Sequence, residues 1–571
     1  MVFGSKGPRD GIERTRATDM MGETFGDIPP APPEAVKLLT EAQQFVDDRT
    51  LPFHRRMKSA LAKADEAVEA FPDVIEVRLF RGSLRFQNLD LYIALLDVEK
   101  CSELIPDTGA IPLVVARILM ELGDFKRSME TIDKLLQEKP DDIRALILKA
   151  EWCEKQDMPR EAAEILTGLL PQVPRNEQTD VRASIARLLL DSEEPEKAMD
   201  ILQPLIDSST QRGDIYRLYG DALSEVGRND HALDEYRTAL HHNPGDMKAH
   251  FNMGVLLREM GYSDRSQGEL EIVASTDPND PDVHLHLFEL ALERGDNTTA
   301  LQHGLQYLLK ADEVDDDDPM LKFLDEAGED FGPHEAVLYG QYLIENGEPE
   351  HAIEFLTPLA QDTNISPPFE VLLSQAYHNL DATRKALQWT DKALSHYVED
   401  AEGFIISDHP FAPDEAEGGD YAELICRKAD LLLSQGATDK AVDMLEELGD
   451  DDTQKHWALR IRGEAAFLKG DYEAALAHFH EALDEHPADV DTLASLGAAY
   501  RKLGRNEQAI NYYLRAHLND TTDIAVLKAL AELFVEAGRK REAELFLGKY
   551  LELEDDPEQS AWAKGAIEKL S

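Results

Sequence analysis

The stretch GDIYRLYGDALSEVGRNDHALDEYRTALHHNPGD, Gly213 to Asp246, decides how the rest of the chain is read. Its apolar residues recur with a helical period in two runs, one on each side of Gly227. A glycine at that point can end the first helix in a left-handed conformation, with no Cβ to clash. Pro244 stops the second helix, since proline cannot donate the next backbone hydrogen bond. Gly220 and Ala232 are small enough for the two helices to approach closely, and Tyr219, Leu223 and Tyr236 are expected to fill the space between units. One such unit cannot bury its own apolar face, so it requires stacked neighbours.

Neighbours recur along the chain. Pro72, Pro106, Pro140 and Pro174 fall 34 residues apart, and Pro244 and Pro278 repeat that spacing. A small residue stands about twelve residues before each, as at Ala60, Ala94, Ser128, Ala162, Ala232 and Ser266, and the series continues from Ala300 to Ala543. A second small series, which includes Gly82, Ala116, Gly220, Gly254, Gly340, Gly463 and Gly497, lies twelve residues earlier in each unit. Turn glycines such as Gly123, Gly227, Gly295, Gly470 and Gly538 separate the two.

With Tyr216, the Tyr219-Gly220 pair, Ala232, Tyr236, Ala239 and Pro244, the opening segment resembles a tetratricopeptide repeat. The segments His456 to Asp489 and Val490 to Asp523 resemble it as closely. About thirteen such units cover most of Glu41 to Asp556. The resemblance implies an all-α fold, a right-handed superhelical solenoid of helix-turn-helix repeats, with a concave groove lined by the first helix of each unit.

Breaks in the register divide the chain. Residues 1–33 hold Pro29, Pro30, Pro32 and Pro33 and no helical period, and read as a disordered leader. An N-terminal array follows over 34–312, with an irregular first unit because Leu51-Pro52 interrupts its first helix. Residues 313–332 read as an acidic linker: the run Asp315 to Asp318 lacks the alternating spacing and central glycine of a calcium loop. A middle pair of repeats spans 333–400, and a loop insertion spans 401–420. Phe404, Ile405, Ile406 and Phe411 in that loop either pack on the neighbouring repeat or dock a partner. The C-terminal array spans 421–556, and 557–571 is expected to be a capping helix with Trp562 covering the last repeat.

Composition bounds the function. Of 571 residues, 113 are acidic and 58 basic, a formal charge of -55. Such a surface repels nucleic acid and anionic membranes, favours basic partners and keeps a long molecule soluble. An acidic source proteome would give the same charge. Cys101, Cys153 and Cys426 share no metal-ligand spacing, which suits a reducing compartment. No apolar run follows the basic residues near the N-terminus, and no segment approaches a membrane span, so a cytoplasmic location is expected. No glycine-rich phosphate loop, HExxH, CxxC or GxSxG motif occurs. The pairs His241-His242, His284 with His286 and His478 with His480 point in different directions on a helix and make poor metal sites. Neither an enzyme nor a bound cofactor or metal is expected.

The family's geometry puts the second, fifth, ninth and twelfth positions of each first helix toward the groove. The candidate partner-binding residues are Arg187, Asp221, Asn252, Glu289, Gln341, Gln375, Asp430, Trp457 and Glu464. Ninth-position asparagine, the mark of members that clamp a carboxylate tail, is missing, and Asn252 alone represents the asparagine ladder of other members. What remains is a partly acidic groove suited to a basic or mixed peptide, or to a helix of a partner protein. The expected function is a protein-interaction scaffold. An accessory subunit of an envelope or glycan biosynthesis system is the alternative.

Overall fold

The computed structural model describes residues 19–20, 23–24, 31–50, 53–105, 110–311, 318–327, 331–361, 366–399, 405–407, 419–448, 454–554 and 556–570. Thirty α-helices follow one another among them, in consecutive pairs, with four strands of only two or three residues each. The fold is all-α, a tetratricopeptide-like helical repeat array. The chain forms two compact units: one of Leu166–Gln454, the other of the stretch up to Ile165 together with Lys455–Ser571.

Each helix pair is built by the same contacts. In the pair Gly213–Glu225 and Asn229–His242, a Cβ added to Gly220 would lie 2.8 Å from the Tyr236 ring and 3.4 Å from the Ala232 carbonyl oxygen. Tyr236 therefore fills the inside of its own pair rather than the space between units. Leu356 meets Gly340, Phe479 meets Gly463 and Tyr513 meets Gly497 in the same way, each sixteen residues ahead. Where serine replaces the small residue of the second helix, it uses the closeness: Ser128 donates to the Ala116 carbonyl and Ser266 to the Gly254 carbonyl, both at 2.7 Å. The turn at Gly227 has φ 75°, as expected, but the series continues through Leu89, Asp157, Glu193 and Asp381, which take the same left-handed conformation without being glycine.

Many of the acids have local work. Asp124, Asp142, Asp246, Asp280, Asp471, Asp489 and Asp523 each stand at a helix N-cap and accept from backbone N–H groups of the first turn. Part of the negative charge thus serves to start helices.

The segments outside the regular repeats hold short elements. In the leader, Asp19–Met20 pairs antiparallel with Glu23–Thr24, and the first helix begins at Pro33. That helix ends at Asp47 and the next begins at Phe53, and Leu51-Pro52 lies outside the described residues. In the acidic linker, Asp315 to Asp317 lie outside the described residues, but Pro319–Ala327 is a helix. Its Met320 is fully buried against Gly304, and the buried Asp318 accepts from the Tyr307 hydroxyl at 2.9 Å and from the Met320 N–H at 2.7 Å. Met320 and Leu324, four residues apart, supply an apolar face that outweighs the neighbouring charges. In the loop insertion, Ile405–Ser407 forms a strand paired with Tyr397–Glu399, while Phe404 and Phe411 lie outside the described residues.

The unit that holds both ends of the chain adds contacts beyond those between neighbouring repeats. A solenoid repeat is expected to touch only its neighbours. Here Leu91–Leu104 and Asn506–Asn519 pack together, and one hydrophobic core holds Leu79, Tyr92, Leu95 and Ile111 with Phe479, Ile510, Phe534 and Phe546. Tyr92 meets Phe534 edge-on at 5.4 Å, and Asn511 donates to Asp90 at 2.6 Å. Arg127 joins Glu99 at 2.8 Å and Glu542 at 3.0 Å, while Arg539 reaches Glu99 at 3.1 Å and also pairs with Glu542. The helix Pro557–Leu570 follows, with Trp562 edge-on to Tyr550 at 5.8 Å and still 36% exposed.

Candidate interaction groove

Within the Leu166–Gln454 unit, four successive first helices, Gln178–Leu190, Gly213–Glu225, Met247–Glu259 and Pro281–Arg294, line a cavity of about 690 Å³. Arg187, Asp221 and Asn252 all line it. Asn252 donates to Asp221 at 2.7 Å across one repeat, Tyr236 donates to the same carboxylate at 2.9 Å, and Arg217 pairs with it at 3.0 Å. Burial pushes the Asp221 carboxyl up and Arg217 opposes it, so this acid is committed to holding adjacent helices in place. The Tyr236 phenol is raised by burial and by Asp221.

Six carboxylates line the cavity against three cationic side chains, Arg187, Arg217 and Lys248. Arg187 is drawn to Asp191 at 3.1 Å. Glu225 makes no ion pair among the described residues; burial raises its carboxyl pKa, and Asp221, Asp191 and Glu193 add to the effect. Phe251 supplies an aromatic surface and lies 5.5 Å from the His286 ring. The arrangement is an electronegative trough with an apolar point, able to take up a cation carried on a hydrocarbon stem.

The other candidates lie elsewhere. Glu289 is engaged by Arg258 and lies 3.2 Å from the His286 imidazole, one residue removed from the cavity wall. Gln341 donates to Glu345 at 2.7 Å and lines a separate cavity of about 500 Å³ with His284, His303 and His334. Gln375 and Asp430 are half-buried on the helices Ser366–Asn379 and Gly419–Ser434, outside both cavities. Trp457 and Glu464 belong to the other unit, where Trp457 is half-buried and Glu464 accepts from Arg460 at 2.7 Å. Phe251, which the sequence offers with Phe86 and Trp457 as an aromatic point of the groove, lines the cavity, whereas Arg217, Lys248 and Asp282 were missed as candidates. They stand at second and fifth positions of their helices, so reading those positions along with the ninth would have found them.

Among the described residues no group of three or more His, Cys, Asp or Glu is placed to hold a metal, and no helix is long and apolar enough to cross a membrane. Cys101, Cys153 and Cys426 are buried and form no disulfide among the described residues.

Paired helices at a fixed period, close-packed through small residues and presenting their first helices to a trough, define a helical-repeat protein. Two family models of the tetratricopeptide repeat match residues 426–490 and 466–529, and the chain is a tetratricopeptide repeat protein. Over 165 residues it is 28% identical to the serine/threonine-protein kinase PknG of Mycobacterium leprae (strain TN), a match that covers 28% of this chain and 19% of the kinase. Over 75 residues it is 29% identical to the CTR9 homolog of Arabidopsis thaliana, 13% of this chain and 7% of that protein. The matches thus span less than a fifth of either curated relative. Among solved structures, Naa15/Naa10 bound to HypK-THB matches with a TM-score of 0.43 at 15% identity, covering 94% of this chain and 87% of that one.

Proposed function

We propose that the chain is a protein-interaction scaffold whose trough between Arg187 and His286 receives a basic segment of a partner protein, and that it carries no catalysis of its own. The observation that carries this reading is the excess of six carboxylates over three cations around Phe251, with Glu225 lacking a cation partner among the described residues. A lysine or arginine side chain laid there lets its stem cover Phe251 while its charge meets Glu225 and Asp282. Electrostatics of this kind set association rate and partner choice more than final affinity.

The test is fluorescence anisotropy of the full-length chain with two labelled helical peptides of equal apolar content, one lysine- and arginine-rich and the other glutamate-rich. Binding of the basic peptide alone, weakened about tenfold by Glu225→Lys or Phe251→Ala and weakened further by salt, is the expected result. Equal binding of both peptides, or indifference to both substitutions, overturns the reading.

A further inference from the structure

A second cavity, of about 520 Å³, lies in the unit formed by the two ends of the chain, and its walls come from both. Lys58 and Leu61 on Phe53–Ala70, together with Leu89 in the turn after Ile75–Gln87, form one side. His480 on Tyr472–Glu485, Tyr500 on Val490–Lys502, and Tyr512 and Arg515 on Asn506–Asn519 form the other. Its volume is in the range of small-molecule sites.

The charges in the wall are unequal in their commitments. Asp65 and Asp90 are both taken up by Arg85, at 2.6 Å and 2.8 Å, and Asp90 also accepts from Asn511. Lys58 and Arg515 have no carboxylate partner among the described residues. Arg515 instead lies 5.4 Å over the Tyr512 ring and reaches the Pro487 carbonyl at 3.4 Å. Both cations face His480. Burial pushes that imidazole down to about 4, and Lys58 and Arg515 add to the effect, so it is neutral near pH 7. It shares a 2.9 Å hydrogen bond with the Tyr500 hydroxyl. Tyr500 and Tyr512 stack at 5.3 Å with an interplanar angle of 5°, and Leu61, Leu483 and Pro487 supply hydrocarbon. At the rim, Leu89 holds a left-handed φ of 61° and is 57% exposed, a strained and unburied apolar residue beside the opening.

Two cations without carboxylate partners among the described residues, converging on a neutral imidazole in an aromatic and aliphatic cavity, are unexpected in a chain of formal charge -55. The lining residues are three acids, Asp65, Asp90 and Asp484, and three cations, but Arg85 takes up two of the acids, which leaves Lys58 and Arg515 facing Asp484. We propose that this cavity binds a small organic anion, with its carboxylate, phosphate or sulfonate between Lys58 and Arg515 and its carbon body against Tyr500, Tyr512 and the leucines. Because Lys58 and Arg515 come from opposite ends of the chain, the anion joins those ends by a pair of charge-assisted contacts. The site shares no residue with the trough proposed above to receive a basic segment, so failure of either reading leaves the other standing.

The probe is 8-anilinonaphthalene-1-sulfonate, an aromatic anion whose fluorescence rises in a desolvated site, titrated into the full-length chain. Its uncharged analogue N-phenyl-1-naphthylamine separates anion recognition from simple apolar uptake. Saturable binding of one sulfonate probe per chain is expected, with the uncharged analogue about tenfold weaker. Arg515→Gln and Lys58→Glu should each weaken the sulfonate probe about tenfold with circular dichroism unchanged. Lys58 is exposed, so its variant keeps the test decisive if Arg515→Gln disturbs folding. Equal affinity for the two probes, unsaturable binding, or wild-type affinity in Lys58→Glu overturns the proposal.

Discussion

Gly463→Ala tests the close helix contact on which every repeat depends. An added Cβ would lie 2.5 Å from Phe479 Cε1, 2.6 Å from Cδ1 and 3.0 Å from Cζ. Carbon atoms settle at about 3.5 Å or more, so the ring must retreat by about 1 Å. Phe479 is 1% exposed and belongs to the core shared by both ends of the chain, leaving it nowhere to go. Overpacking costs about 1–3 kcal/mol, while alanine's better helix propensity returns about 1 kcal/mol. The net expectation is a loss of about 0–2 kcal/mol. Gly548→Ala, on the helix Lys540–Leu553, is the control: its new Cβ meets nothing within 4 Å, so it should gain about 1 kcal/mol. Replacing the ring through Phe479→Leu should make Gly463→Ala favourable in turn, a reversal of sign that propensity alone does not produce. Since repeat arrays open locally, the assay is hydrogen exchange of the full-length chain, read over Lys455–Glu485 for the first site and Lys540–Leu553 for the control. If Gly463→Ala slows exchange both in the otherwise wild-type chain and in the Phe479→Leu variant, the two helices do not approach as described.

Other perturbations address the joined ends. Lys549 donates to the buried His517 at 2.9 Å, and burial together with Lys549 pushes that imidazole down to about 4. The unfolded chain therefore takes up the proton first, so stability is lost as pH falls from about 6.5 to about 4, by up to about 3 kcal/mol; His517→Gln should flatten that part of an acid titration followed by circular dichroism. Glu99→Ala and Arg539→Ala should each speed hydrogen exchange in both Leu91–Leu104 and Ile524–Glu536, with a coupling of about 1 kcal/mol in the double mutant; strictly additive effects would mean that the pair does not hold the ends. Leu89→Gly should raise the unfolding midpoint in urea by relieving a left-handed turn worth about 1 kcal/mol, and a lower midpoint would show that the leucine is held by contacts worth more than its strain.

The repeat was legible because its constraint is local and periodic. Gly220 must be small since Tyr236 lies against it, and the same requirement returns at Gly463 and Gly497. The same period brought Arg187 and Asp221 to one cavity, where Asn252, which lies off that period, joins them. Glu289 followed the spacing too, but Arg258 on the preceding repeat captured it, an interaction that periodicity does not encode. The turns at Leu89, Asp157 and Glu193 escaped the glycine series because the neighbouring helices impose the left-handed conformation on residues that do not prefer it. The helix at Pro319–Ala327 was hidden by the charge run before it, although Met320 and Leu324 carried its apolar signature. Least legible was the meeting of the chain ends. Asn511 and Glu542 are polar residues at buried positions of repeat helices; Asn511 is met by Asp90, and Glu542 by Arg127 as well as by the nearby Arg539, so in each case a partner hundreds of positions away takes part.

That meeting has a consequence for biosynthesis. Asp90 and Asn511 are separated by 421 positions, and everything between them must be translated before the contact can form. At about 5–20 residues per second, the face around Tyr92 waits on the order of 20–80 s for Phe534 to emerge. Once both are free of the ribosome, the entropy of closing so long an interval adds little, because it grows only logarithmically with length. The vulnerable period is therefore set by elongation speed rather than by the search. During it the early helices present an uncovered apolar face, the kind of surface that chaperones hold, and a stalled or truncated message would leave that face permanently bare.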